Sequence, residues 1–331
     1  MRADPILFLP FGALPTDDTA RARQLRDYFP DKRPLSRQSD SKWEIHLPWP
    51  RIEQLRKDPC IKTALPTLFG ETSRCPPGMM KTTLGKIALT ASDSWTLLAW
   101  SHYLSNCDRA FPLFIIHVDA HSDLMAPIVE TRDSGFTDLI TGEKVRLCEP
   151  CSVEAAIHSG AIGIGSFLVP FLWEQDCDTL VHLCTPSFQP QTRGWGALER
   201  ATVSDTLLKP GALRPAVRRT TTGGLCKHLI TESLENVRLD IHDRRILLHI
   251  DLDFFNNRYN GDSHWFEVAD RHDPDERTMR AAVESFTRDL RAAGVEALDH
   301  IVISCSPEFC PAEHWSLLIK LIEGCLGESI R

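Results

Sequence analysis

The chain has 331 residues, 42% hydrophobic and 25% charged, with a formal net charge of −8. That length buries a substantial core in one large α/β domain or two smaller ones, and the composition is ordinary for a soluble globular protein. The negative balance argues against a nucleic-acid or anionic-membrane partner and is compatible with a cationic substrate. The eleven cysteines are odd in number and scattered, with no secretory signal ahead of them. This reads as reduced thiols in a cytoplasmic protein. Cys148 and Cys151 form a CxxC with no second pair to complete a zinc site, so they read as structural.

Residues 1–80 are rich in Pro and Arg; they suggest a strand at 6–9, a helix around 19–28 and an exposed polar loop at 31–42. A short strand is expected at 84–91, with Asp93 or Ser92 capping a helix over 94–104. The apolar run LeuPheIleIle predicts a strand at 113–119. Residues 155–173 carry no charge, yet Gly160, Gly163, Gly165 and Pro170 interrupt them, so a buried turn, strand and helix fit better than a membrane span. A buried strand follows at 179–185, then a Pro- and Gly-rich stretch, 186–227, read as an irregular insertion able to carry a hairpin. A strand at 245–253 leads into a polar loop at 256–273. Pro274 opens a helix with Met279, Ala282, Val283, Phe286 and Leu290 at helical spacing, ended by Gly294. A strand at 300–304 and a helix at 312–326 complete the pattern. Alternating strands and helices imply a mostly parallel sheet covered on both faces, with ligands beyond the carboxyl ends of the strands.

Two runs carry the chemistry: HisValAspAlaHisSerAsp at 117–123 and HisIleAspLeuAspPhePheAsn at 249–256. Each follows an apolar strand and presents acids or imidazoles two residues apart, on one face of an extended chain. Asp119, His121 and Asp123 would converge at one strand end, with Asp251 and Asp253 at another. So many carboxylates at one sheet edge repel each other unless cations hold them, which indicates a two-metal hydrolytic site. His117 and His249 read as satisfied core histidines. Trp265 and Phe266 read as packing residues, and Arg214, Arg218 and Arg219 as a solvated face.

AspAlaHisSerAsp at 119–123 with AspLeuAsp at 251–253 resembles the arginase and ureohydrolase superfamily; the longer blocks look like its UPF0489 branch, some members of which are peptide arginases. The resemblance implies a single arginase-like domain over residues 1–331, a three-layer α/β/α sandwich whose divergent N-terminal part is 1–83. It also implies two Mn²⁺ ions joined by a bridging hydroxide. Asp119 and Asp251 would bridge both ions; Asp123 would complete one, and His121 with Asp253 the other. The superfamily's remaining histidine ligand is missing here. Asp93 falls nearest its position, and His102 is the fallback. Where arginases carry a third acid after the second motif, this chain has Asn256. Glu308, after the last predicted strand, corresponds to the glutamate that grips guanidinium, because a carboxylate accepts paired N–H bonds from that planar donor. His158, His264 and His117 are candidates for the proton donor.

The function so implied is hydrolysis of arginine side chains in a ribosomally made precursor peptide to ornithine and urea, by a cytoplasmic enzyme that also has the option of homo-oligomerisation. Alternatives are a ureohydrolase of a small free guanidino compound and a deacetylase-like amidohydrolase, for which Tyr259 would have to serve as donor. A third is a metal-stabilised interaction module.

Overall fold

The computed structural model describes residues 3–39, 41–55, 57–70, 75–84, 87–107, 111–132, 135–186, 193–235, 237, 244–261, 265–269, 271–294 and 298–326. The N-terminal part forms β1 (Ile6–Pro10), α1 (Asp18–Tyr28), β2 (Leu35–Ser39), β3 (Lys42–His46) and α2 (Ile61–Phe69). The middle of the chain begins with β4 (Lys81–Leu84), β5 (Ile87–Thr90), α3 (Ser94–Asn106) and β6 (Leu113–Val118). Three short strands follow, β7 (Val129–Thr131), β8 (Phe136–Asp138) and β9 (Lys144–Val145), then α4 (Pro150–Ser159) and α5 (Leu168–Glu174). Next come β10 (Cys177–Leu183), β11 (Gly194–Ser204), β12 (Leu213–Thr220) and β13 (Cys226–Thr231). The last stretch is β14 (Arg245–Asp251), α6 (Glu276–Ala293), β15 (Leu298–Ser304) and α7 (Ala312–Leu326).

Nine strands make the main sheet, in the order β12-β11-β13-β10-β6-β14-β15-β5-β4. The six strands from β13 to β5 run parallel; β11 on one side and β4 on the other run against them, and the edge strand β12, antiparallel to β11, returns to their direction. Side chains alternate between two cores. Leu113 and Ile115 pack with α3, α4 and α5, whereas Phe114, Ile116 and Val118 pack with α2, α6 and α7. A strand covered on both faces favours near-continuous apolar residues, which is why β6 opens on the run LeuPheIleIle. The result is an α/β fold with a large, mostly parallel sheet and helices on both faces.

Several expectations change. The expected loop at 31–42 is largely strand, with β2 and β3 joining β1 in a separate sheet. Asp31 and Lys32 are buried there because each finds a partner: Asp31 Oδ1 accepts from Ile164 N at 2.8 Å, and Lys32 Nζ donates to His158 O at 2.6 Å. Trp43, Ile45 and Leu47 enter the same core as α3 to α5. The uncharged stretch 155–173 has no strand; it is the end of α4, a buried turn and most of α5. No described helix is long and apolar enough to cross a membrane. The stretch 186–227 does carry a hairpin, β11 and β12, which extends the main sheet. Pro215 is tolerated in β12 because that strand is the sheet's edge. Arg214 is no solvated residue: its Nε donates to Pro127 O at 2.8 Å, tying the hairpin to the loop after β6. Arg219 likewise donates to Gly194 O at 2.8 Å. The α6 cap is Asp275, whose Oδ1 accepts from Thr278 N at 2.8 Å, with Pro274 just outside the helix. All eleven cysteines are free thiols.

Candidate metal centre

Four neighbouring strands, β6, β14, β15 and β5, point their carboxyl ends the same way, and the chain turns sharply at each. After β6, Asp119 Oδ1 accepts from His121 N at 2.6 Å, so the chain curls and returns Asp123 toward the strand. At the end of β14, Asp251 Oδ1 accepts from Asp253 N at 2.9 Å in the same manner. Such Asx turns are short-range geometry that an Asp-x-Asp or Asp-x-His spacing supplies by itself. The two turns meet where Ala120 N donates to Asp253 Oδ1 at 3.2 Å and His121 Nδ1 lies 2.9 Å from Asp253 Oδ2.

Asp93 comes from the end of β5. It occupies the N-cap position of α3 but makes no capping bond, contrary to expectation. Its carboxylate instead accepts from Ser306 Oγ at 3.1 Å, and the same hydroxyl lies 2.6 Å from Asp251 Oδ2. A ligand role and a capping role compete for one carboxylate, and the cluster wins.

Three groups of side chains here can hold a metal ion, with ligand atoms within 4.8 Å of one another: Asp119 with His121 and Asp253, Asp119 with Asp93 and Asp251, and Asp119 with Asp123, His117 and His249. Asp119 belongs to all three. The carboxylates of Asp93, Asp119, Asp123, Asp251 and Asp253 are all buried. Asp119 Oδ2 and Asp123 Oδ2 are buried and accept no hydrogen bond. An orphaned carboxylate oxygen out of water costs several kcal/mol, roughly, unless a cation or a proton meets it.

The proton affinities state the same need. Burial first, and then the neighbouring carboxylates, hold Asp119 and Asp251 well above the ordinary carboxylate range. Asp123 is pushed up to about 8 by burial and by Asp93. Burial works against the charge of His121, but Asp253 prevails and raises the imidazole to about 9.

Under this cluster lies a row of three imidazoles on adjacent strands. His117 pairs in register with His182 on β10 and His249 on β14, with ring centroids 5.1 Å apart on each side. His117 Nδ1 and His249 Nδ1 are 2.9 Å apart, and His249 Nε2 is 3.2 Å from Ser304 Oγ. Burial holds His117 well below its ordinary value and lowers His182 to about 4. Both His117 and His249 are fully buried, as core histidines would be, yet both also belong to the candidate ligand group with Asp119 and Asp123, and neither lines the cleft.

A cleft over the carboxylates is lined by His121, Met125, Pro30, Ile164 and Phe309. Among the described residues lining it, His121 is the only histidine. His158 turns its ring edge to Trp95 at 5.5 Å and joins no ligand group, and His102 is exposed on α3. His264 lies outside the described residues. Tyr259 is buried and packs edge-on against Trp265 at 5.1 Å. Asn256 shapes the loop after β14: its Nδ2 donates to Asp273 Oδ1 at 3.2 Å and its Oδ1 accepts from Arg258 N at 3.1 Å.

Glu308 lines a second recess that shares Pro30, Asp93, Ile164 and Phe309 with the cleft. It does not stand open to solvent alone: Arg33 Nη2 donates to Glu308 Oε2 at 2.6 Å. Sequence reasoning missed Arg33, Ser306 and Asn260, whose Oδ1 is 3.1 Å from His121 Nε2. Ser306 lies two residues before Glu308 in the block that drew attention to it; for Arg33 and Asn260 no sequence signal exists. Among the described residues, all four non-glycine positions with positive φ are here: Asp123, Asn260, Ser306 and Glu308. Strained backbone gathers where the surroundings over-determine it, and that is typical of functional loops. No family model matches the chain, and no curated protein matches it either.

Proposed function

We propose that the chain is a binuclear, manganese-dependent hydrolase of the arginase and ureohydrolase type, acting on arginine side chains of a peptide. The observation that carries this reading is the convergence of two separate Asp motifs on Asp119, which belongs to every ligand group at the cleft. The donor set, rich in carboxylate oxygen with one imidazole facing the cleft, suits Mn²⁺ better than a zinc-only site. Asp119 would be shared by two ions, one held with Asp93 and Asp251 and the other with His121 and Asp253, while Asp123 stands beside Asp119 in the third group. Bound there, divalent cations make water acidic enough to yield a nucleophile at neutral pH and stabilise charge on the attacked group.

The chain's own residues do the rest. Glu308 accepts N–H bonds from the guanidinium and orients it, while Met125, Ile164 and Phe309 give the cleft apolar walls that limit water. Water adds to the guanidino carbon, the bond from that carbon to the side-chain nitrogen breaks, and that nitrogen leaves protonated as the ornithine amine, with urea released. The peptide form of the substrate rests on the sequence resemblance. None of the three tyrosines lines the cleft, which leaves a deacetylase-like reading without a phenolic donor.

The test is incubation of Mn²⁺-loaded protein with an arginine-containing peptide, assaying urea and the mass change to ornithine. Asp253→Asn should abolish both. Urea from free arginine or agmatine but none from peptides would turn the reading to a small-molecule ureohydrolase. No urea from any guanidino compound, with two cations bound, would overturn it.

A further inference from the structure

The carboxylate assigned above to a substrate guanidinium already holds one from the protein itself. We propose that Arg33 is a specificity-determining residue, whose guanidinium occupies Glu308 until a substrate guanidinium takes its place. This rests on the reading of Glu308 as the substrate's acceptor.

Four observations carry it. First, the contact is single: Arg33 Nη2 meets Glu308 Oε2 at 2.6 Å, while Nη1 is turned to Lys32 O at 3.2 Å. A paired, two-bond grip of the kind this donor and acceptor can form is therefore not made, and a better-placed guanidinium has something to gain. Second, the pair is neither sealed nor free, with side chains 26% and 22% exposed, so an exchange needs no opening of the core. Third, Glu308 does not need Arg33 to hold its place. Its carbonyl accepts from Gly261 N at 3.0 Å, and Phe309 N and Cys310 N both donate to Ser306 O, itself anchored through Oγ to Asp251. Fourth, the segment leading into Arg33 is pinned. Arg33 N donates to Pro48 O at 2.9 Å, Asp31 to the Ile164 amide and Lys32 to His158 O fix the residues before it, and only the Arg33 side chain has to move.

The chemical consequence is selection by like-for-like exchange. A guanidinium brings the planar fork and charge that Arg33 withdraws, so the carboxylate is never left unpaired. A lysine ammonium brings a point charge without the fork, and a neutral ureido group brings the shape without the charge. Both leave Arg33 the better partner. A latch closed in about nine molecules of ten lowers the apparent affinity for the incoming group about tenfold.

The experiment compares the native full chain with Arg33→Gln and Arg33→Lys, all loaded with Mn²⁺. Calorimetric affinity is measured for N-acetyl-arginine amide and for N-acetyl-citrulline amide, with KM replacing Kd if urea forms. Arg33→Gln should bind the arginine probe about tenfold more tightly. Arg33→Lys should show a smaller gain, and the citrulline probe should not discriminate among the three. Unchanged or weaker binding of the arginine probe to a folded Arg33→Gln would overturn the proposal. A second arm needs no variant: in native protein with ¹⁵N-labelled arginine and diamagnetic Mg²⁺ in place of Mn²⁺, the Arg33 side-chain N–H signals should shift as the probe saturates, and signals that stay put would overturn it. Tighter probe binding without urea from any form would sink the hydrolase reading and leave Arg33 standing. Urea release with unchanged affinity would sink only the role of Arg33.

Discussion

Ser306 shows how a residue without charge can govern a charged site. Its hydroxyl lies 2.6 Å from Asp251 Oδ2 and 3.1 Å from Asp93 Oδ1, so it sets the angle between two carboxylates that arrive on different strands. Partners behind metal ligands affect affinity by roughly 10- to 100-fold. Ser306→Ala should therefore weaken Mn²⁺ binding about tenfold in calorimetry, with little change in the melting temperature of the metal-free protein. At the same scale the raised carboxylates make a pH prediction. Asp123, at about 8 when folded, holds a proton that its unfolded counterpart has lost, and so does His121, at about 9. Unfolding then releases protons, and metal-free stability falls as pH rises from about 6.5 to 8. Thermal melts across that range should show the decline without metal, and saturating Mn²⁺ should flatten it. A metal-free melting temperature that climbs over the same interval would refute the cluster's electrostatics. The Asp and His spacing was readable because Asx turns make i, i+2 pairs local. Arg33 and Asn260 were not, since long-range loop packing brings them in.

Among the elements, the central strands were legible because a sheet covered on both faces favours near-continuous apolar runs, as in β6 and β14. Of the N-terminal strands β1 was legible at 6–9, but β2 and β3 were not. Their neighbouring charges looked solvated, and only the fold reveals that Asp31 and Lys32 are buried against the turn between α4 and α5. That turn can be probed by two glycines. Gly160, at φ +90, caps α4, and a Cβ there would stand 2.9 Å from Lys32 Cε; Gly142, at φ +76, has nothing within 4 Å. Alanine at either strains the backbone, so Gly142→Ala should cost about 1 kcal/mol. Gly160→Ala must also displace Lys32, and should cost roughly 1 to 3 kcal/mol more. Equal losses in chemical denaturation would show that Lys32 yields freely.

For the molecule as a whole, the first fifty residues are part of the fold that builds the candidate site rather than an appendage. Leu25, Phe29, Trp43, Ile45, Leu47 and Trp49 are all buried, and all six share the core with α3 to α5. Pro30 and Arg33 from the same stretch wall the cleft and its recess. Deleting residues 1–50 should abolish the cooperative melting transition, which a circular dichroism melt would register; a truncated chain that melts sharply would separate this layer from the core.

The four left-handed residues lie in three loops that meet over one cluster of acids. Backbone held in a conformation it disfavours is the first to open when its restraints weaken. Amide hydrogens at 119–125, 252–261 and 305–310 should accordingly exchange with deuterium together and early in the absence of cation, while those in α6 stay protected. Adding Mn²⁺ should slow all three loops by a common factor, as though one clasp had closed.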